Sequence, residues 1–466
     1  MLAIIRFLSS QVVFWLAWIV IPLVMEIIPS IFGFFVLLKK GLQRKKERDP
    51  IRFPEISLII PVFNSADTLE ACLESIYNSN YPVDLIDVLL VNNKSTDDSF
   101  AAYQKAQAKF RNLSMQWLNA KQGKSKALNM ALFNSEGKYI IHIDSDGKLH
   151  PDALNNIVLR FEQNSNMHCM TGSILTNPEL IDQTKNPTKR LFRKLEFMEY
   201  CQAFLVGRNF ESELNSIFTL SGAFSAFRKS TILKTQLYNT DTVSEDTHVT
   251  FQVRKLLNQK VHICENAFFM VDPIENINKL YVQRQRWQRG ELEVAHMFHL
   301  ENASPLIGFF SNFTTRILLF DHTFIFPRMI WYFALIFLGF LGQQTMHIVF
   351  SVLILYGMYV FTSFLYYINV NIYFLGFDEL QKFYRRRLCL VLLLPLYNFI
   401  VFWFRVAGII NSIKGNNHWK TSNLTEERKR FVSVMVHDIF VFSCFFIDKN
   451  KRINITAGKG EVNFEI

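Results

Sequence analysis

Ile56-Ser57-Leu58-Ile59-Ile60-Pro61-Val62 decides the fold. A short apolar run rich in β-branched residues is the pattern of a strand buried on both faces. Residues 67–77 follow as a helix, with Leu69, Leu73 and Ile76 on one face. Val88-Leu89-Leu90-Val91 is the next strand, closed by the turn-rich Asn92-Asn93-Lys94-Ser95-Thr96-Asp97, and residues 139–143 form a third. Strands alternating with helices predict an α/β domain with a mostly parallel sheet, and ligands then bind at the carboxyl ends of the strands.

Outside this block the chain changes character. From residue 7 to residue 38 the only ionisable side chain is Glu26. That length suits one tilted or kinked membrane span, since a bilayer core takes about 20 apolar residues. Pro22, Glu26 and Pro29 would allow a break, and the run is too long for a cleaved signal peptide. Lys39, Lys40, Arg44, Lys45, Lys46 and Arg48 follow, a basic flank that places the next domain in the cytoplasm.

Beyond residue 300, Leu306, Phe309, Phe310, Phe313 and Ile317 recur at helical spacing, as in a helix lying in the membrane interface. Residues 324–341 and 348–374 read as spans. Residues 388–413 are also long enough to cross, but a third crossing would put Lys414, Lys420 and Arg428 to Arg430 outside, against the bias of basic residues. A re-entrant or interfacial course near Pro395 is therefore expected. Residues 431–447 carry His437 and Asp438 and read as interfacial. The expected division is a membrane anchor at 1–48, a soluble domain at 49–300, interfacial and transmembrane helices at 301–413, and a tail at 414–466.

Composition agrees with this layout. Of 466 residues 50% are hydrophobic and 15% aromatic, with 46 Phe, yet 19% are charged, because the apolar residues concentrate at the ends. Six scattered cysteines without a CxxC pair exclude a disulfide framework and a structural zinc site. The net charge of +10 sits beside the hydrophobic segments, which points to an anionic membrane surface and not to nucleic acid.

Four motifs carry candidate chemistry, and each has a plain structural reading beside it. Asp144 and Asp146, two apart at a strand end, could hold a divalent ion that bridges diphosphate oxygens, or they could simply cap a polar turn. Lys124, in Gly123-Lys124-Ser125-Lys126, opens a helix whose N–H groups suit phosphate; a solvated first turn is the alternative. Glu245 and Asp246, in Ser244-Glu245-Asp246-Thr247, stand in a first helical turn, where a carboxylate stays ionised and suits a general base, or caps the helix. Gln283, Arg286 and Trp287 share one helix face and could hold a sugar or diphosphate, although Arg and Trp are also common at membrane surfaces.

Together, and in this order, these motifs resemble the membrane-embedded family-2 glycosyltransferases that make hyaluronan, chitin, cellulose and poly-N-acetylglucosamine. The resemblance covers residues 56–290 and extends loosely into the helices that follow. It implies a cytoplasmic, Rossmann-like domain of the GT-A type, joined to transmembrane and interfacial helices in the plasma membrane. Asp144 and Asp146 would hold the nucleotide diphosphate and its Mg²⁺ or Mn²⁺, with Lys124 beside the nucleotide. Asp246 would be the base. Gln283, Arg286 and Trp287 would hold the donor diphosphate and the acceptor end. Ser221, Gly222, Ala223 and Phe224 would line the acceptor site, and Pro61 to Asn64 the nucleotide pocket. Trp419-Lys420-Thr421 looks like the cytoplasmic segment these enzymes carry after their membrane helices.

The family often has Asp-Asp where this chain has Asn92-Asn93, whose amides could still meet a uracil edge; Ser-Glu-Asp replaces Thr-Glu-Asp and leaves the base intact. The implied function is inverting, metal-dependent transfer from a UDP-sugar onto a growing polysaccharide, processive and coupled to export. Its partners would be the donor, a glycan or lipid-linked acceptor, membrane lipids and accessory export proteins. One transfer onto a polyprenyl phosphate or ceramide-like lipid is the alternative, and a non-catalytic membrane scaffold the third reading.

Overall fold

The computed structural model describes residues 19–20, 22–43, 52–299, 325–340, 345–413 and 423–427. The start of the N-terminal apolar run, the helix expected around 306–317, Trp419-Lys420-Thr421 and the tail after residue 431 lie outside the described residues.

Among the described residues eight strands make one sheet: β1 (Ile56–Val62), β2 (Ile86–Asn92), β3 (Ser114–Asn119), β4 (Tyr139–Ile143), β5 (Gly147–Leu149), β6 (Cys169–Thr176), β7 (Phe224–Arg228) and β8 (Val261–Val271). Their order is β3-β2-β1-β4-β7-β6-β8-β5. Every residue of β1 is buried, as its continuous apolar run requires. Each such Ile, Leu or Val contributes about 1.5–3 kcal/mol by leaving water.

The pairings among β3, β2, β1 and β4 are parallel. β7 then enters antiparallel between β4 and β6, so four of the seven pairings are parallel. This reversal positions the site. Phe224, the first residue of β7, lies opposite Ile143, the last of β4. The turn before β7 therefore meets the carboxyl end of β4.

In chain order the main helices are α1 (Ile28–Leu42), α2 (Leu69–Tyr77), α3 (Ser99–Lys109), α4 (Lys124–Asn134), α5 (Ala153–Gln163) and α6 (Pro187–Tyr200), then α7 (Glu245–Lys255), α8 (Ile277–His299), α9 (Ile325–Phe340), α10 (Thr345–Tyr373), α11 (Asp378–Arg385) and α12 (Leu394–Ile413). Asn186 caps α6 by accepting from the Lys189 N–H, with Pro187 in the first turn. A wide π-helical turn, Cys201–Gly207, and the helical stretch Arg208–Glu213 continue α6.

Ile348–Tyr373 and Leu394–Asn411 are long and apolar enough to cross a membrane, by length and composition. The chain turns ahead of Pro395, at Leu388–Val391, and α12 then runs unbroken. Pro395 occupies its first turn, where a missing N–H costs nothing.

α1 binds the rest of the molecule through polar contacts. Lys40 Nζ donates to Asn209 Oδ1 at 2.7 Å and pairs with Glu213 at 2.6 Å. At the other end, Glu26 lies in a π-helical turn, Leu23–Ile27, where an extra residue per turn redirects a side chain. Glu26 Oε2 accepts from Arg328 Nε and Nη2 at 2.8 and 2.6 Å, and Oε1 accepts from the Tyr359 hydroxyl at 3.2 Å. The carboxylate is buried. Removing one partner of such a pair strands the other, at a typical cost of ~3–5 kcal/mol. Glu26→Ala should therefore lower unfolding stability in detergent strongly, and Glu26→Leu combined with Arg328→Met should recover most of it. Equal stability of Glu26→Ala and the parent protein would show that the pair carries no weight.

Candidate active site

The site forms where the carboxyl edge of β4 meets the starts of α4 and α7. Asp144 follows β4, and its backbone N–H donates to the Ala223 carbonyl at 3.3 Å. Ser145 turns inward to share a 2.7 Å hydrogen bond with Ser65, and the two aspartates flank it. Lys124 starts α4, after Gly123 at φ +131, a conformation open to glycine and strained for other residues. The Lys124 Nζ reaches Asp144 Oδ1 at 2.6 Å, the Gly222 carbonyl at 3.2 Å and Glu245 Oε1 at 3.6 Å.

Burial would strip Lys124 of its proton, but Asp144 and Glu245 outweigh it and raise its pKa. Burial likewise opposes ionisation of Asp144, yet Lys124 and the His142 ring nitrogen 3.6 Å away hold its pKa well below the usual range. His142 is itself lowered by burial, which leaves Lys124 as the cation at Asp144 near neutral pH.

Glu245 and Asp246 open α7 as expected, and they face different partners. Glu245 is buried against Lys124, with its pKa raised by burial and by Asp246 while Lys124 opposes. Asp246 Oδ2 accepts from the Gly222 N–H at 3.0 Å, and Oδ1 from the Thr247 N–H at 2.7 Å. A Cβ on residue 222 would lie 2.8 Å from that same Oδ2, so glycine is what allows the approach.

The amide side chains at the sheet edge hold loops. Asn93 Oδ1 accepts from Gly123 N–H at 2.6 Å, Asn92 Oδ1 from Ser95 N–H at 2.8 Å, and Asn64 Oδ1 from Thr96 N–H at 2.8 Å. Asn64 is exposed at the rim with φ +51. Two expected lining residues are placed elsewhere. Pro61 is buried inside β1, and Phe224 is buried in β7 against Gly172 and Phe269. Strand alternation aims both side chains into the core.

The motif on α8 divides. Trp287 is partly exposed, Arg286 is exposed, and Gln283 is half-buried. The intervening Arg284, which sequence reading passed over, is the buried anchor: it pairs with Glu199 at 2.5 Å and stacks 4.3 Å from the Trp287 ring. Gly290, one turn on, packs so closely that a Cβ would sit 1.7 Å from Ser244 Oγ. α8 is thereby seated on the start of α7. The structure thus joins Lys124, Asp144, Gly222, Glu245 and Asp246 directly, while Trp287 approaches through aromatic contacts.

Among the described residues no group of three or more His, Cys, Asp or Glu side chains is gathered to hold a metal ion. Asp144 and Asp146 still fit an ion of the Mg²⁺ type, which takes one or two carboxylates and completes its shell with phosphate oxygens and water. Asp146 keeps access to solvent, and its pKa is raised to about 6 by burial and by the Asp144 charge. A cation there would relieve that repulsion. Without metal, the strain has a stability signature. Below about pH 4 Asp146 is protonated in folded and unfolded chains alike; above about pH 6 its charge opposes folding. In EDTA, Asp146→Asn should raise Tm at pH 7.5, with the gain fading as pH falls through 6 towards 4. A gain that grew on acidification would contradict this.

Comparison with known proteins agrees with the geometry. The family model "Glycosyl transferase family 2" matches residues 57–232. Poly-beta-1,6-N-acetyl-D-glucosamine synthase of Staphylococcus epidermidis is 25% identical over 271 residues, 58% of this chain and 62% of that protein, so the match spans less than two thirds of the relative. The synthase of the same name from Staphylococcus aureus is 22% identical over 67% of this chain and 71% of its own length. In fold, the chain is similar to the mannosyltransferase PcManGT of Pyrobaculum calidifontis, solved with GDP-Man and Mn²⁺ (TM-score 0.55, 16% identity, 85% of this chain and 99% of that one). The chain therefore carries a glycosyl transferase family 2 domain at residues 57–232, on a mixed sheet of the GT-A type.

Proposed function

We propose that the enzyme is an inverting, metal-dependent transferase that moves an N-acetylhexosamine or hexose from a UDP-sugar onto a growing glycan at the cytoplasmic membrane face. The observation that carries this reading is Asp246, held by two backbone N–H groups beside the Lys124–Asp144 pair. Asp246 takes the proton of the acceptor hydroxyl as that oxygen bonds to the anomeric carbon. The bond to UDP breaks on the opposite face, and its electron pair leaves with the diphosphate. A divalent ion on Asp144 and Asp146 would neutralise the charge gathering on that diphosphate. Arg286, exposed on α8, is the further cation assigned to it.

Polymer synthesis is favoured over a single transfer by the synthase relatives and by a polar pocket among the apolar helices. Glu26, Gln202, Arg328, Tyr359, Tyr366 and Asn398 help line that pocket, side chains suited to a hydroxyl-rich chain.

Packing supports a course in which α12 enters the membrane without crossing it. Arg405 donates to Gln288 at 2.7 Å, Asn411 to Gln285 at 3.0 Å, and Gly408 abuts the Gln285 backbone. The second half of α12 therefore lies along the charged helix α8. Its first ten residues rise about 15 Å, half of the ~30 Å hydrocarbon core. Beyond α12, Asn278 and Thr425 hydrogen-bond at 3.0 Å, so the chain there is again on the catalytic-domain side.

The test uses full-length protein in detergent with UDP-N-acetylglucosamine and Mn²⁺, and the products are sized. A ladder of glycans is expected; one lipid-linked sugar would favour the single-transfer reading. Asp246→Asn should bind UDP normally and lose transfer by about 10²–10⁴-fold, since the amide keeps the shape but cannot take a proton. Near-normal turnover would remove Asp246 from the role of base. Chelation should weaken UDP binding in the parent protein and have little further effect in Asp146→Ala.

A further inference from the structure

The π-helical turn Cys201–Gly207 and the residue after it reach the site from a side that no motif announces. π turns widen a helix by one residue and recur at functional sites. Two side chains of this region connect the indole to the base. The Phe204 ring meets Trp287 edge-on, with centroids 5.7 Å apart at 80°. The Arg208 guanidinium lies 4.8 Å over the Phe204 ring. Arg208 is buried, at 6% exposure, and donates to the Ser221 hydroxyl. Ser221 is fixed further by its N–H, which donates to Thr171 Oγ1 at 3.1 Å. The next residue, Gly222, holds Asp246.

We propose that Arg208 and Phe204 are positioning residues for the transfer: Arg208 holds the Ser221-Gly222 turn against Asp246, and Phe204 sets the plane of Trp287. A single stretch of chain would then fix both surfaces that an acceptor sugar meets, the base and the aromatic wall. The inference rests on the roles proposed above for Asp246 and Trp287. A guanidinium suits the task because it can stack on a ring and donate sideways at once, which an ammonium does less well. The stretch is also anchored outside the site. Asn209 and Glu213 bind Lys40 of α1, and the Phe210 ring packs on Gly33 so closely that a Cβ there would lie 3.3 Å from it.

The experiment compares Arg208→Gln, Arg208→Lys, Ser221→Ala, the double variant Arg208→Gln/Ser221→Ala and Phe204→Leu in the full chain. UDP affinity with Mn²⁺, UDP-N-acetylglucosamine hydrolysis by water, and transfer to a chito-oligosaccharide are measured on each. Arg208→Gln should keep UDP affinity within about twofold and lower both hydrolysis and transfer by about 10²-fold, the typical effect of displacing a catalytic group by ~1 Å. Arg208→Lys should recover part of the loss. Ser221→Ala breaks the same bond from the other side, so the double variant should be no worse than Arg208→Gln alone. Phe204→Leu should raise the acceptor KM and leave hydrolysis intact. Additive losses, loss of UDP binding in both single variants, or parental rates in Arg208→Gln and Phe204→Leu would each overturn the proposal. No hydrolysis and no transfer by the parent protein would remove the transferase reading beneath it.

Discussion

The Lys124 ammonium is the interaction on which the site depends. It touches Asp144 and the Gly222 carbonyl and faces Glu245, and the Asp246 charge adds to its field. These groups come from the end of β4, the turn before β7 and the start of α7. Carboxylates crowded together in a partly buried cleft would repel one another and take up protons. One cation among them reverses the balance, since a charge pair at about 4 Å is worth roughly 4 kcal/mol at an effective dielectric near 20. The same arrangement leaves Asp146 at the solvent side, where the Lys124 charge offsets only part of the repulsion from Asp144.

Close approach is the second constraint, and glycine supplies it. A side chain at position 222 would strike Asp246, and one at 290 would strike Ser244. Asp246 and the start of α7 can therefore be clamped between the β7 turn and α8 without displacement. α8 is gripped in turn by α12 through Gly408, Arg405 and Asn411. The turn before β7, the start of α7, α8 and a helix of the apolar region are thus packed against one another.

Much of this was legible beforehand for reasons that can be named. β1 and β4 fall where the apolar runs ended, and the runs at 88–91 and 67–77 lie on β2 and α2. Hydrophobic period and turn residues are local properties, so one stretch of chain is enough to read them. The carboxylates of Glu245 and Asp246 stand in a first helical turn because an acid there is stabilised by the helix dipole. Pro61 and Phe224 are buried, because a motif marks a position along the chain whereas strand alternation decides which way each side chain points. Pro395 sits at the start of α12 without breaking it, because proline disrupts a helix interior but is well accommodated in a first turn.

The sequence by itself determined the α/β class, three of the strands (β1, β2 and β4), the flanking apolar regions and the residues that carry charge at the sheet edge. Each of these follows from local periodicity or from chemistry written in adjacent residues. The tertiary structure alone decided the antiparallel entry of β7, the pairing of Glu26 with Arg328 across 302 positions, the Arg284–Glu199 anchor and the reach of Arg208 to Ser221. Those contacts satisfy buried polar groups, and a buried charge or hydroxyl takes whichever partner the packing brings within about 3 Å. Separation along the chain carries no information about that choice; the order of strands and the crossing of helices make it.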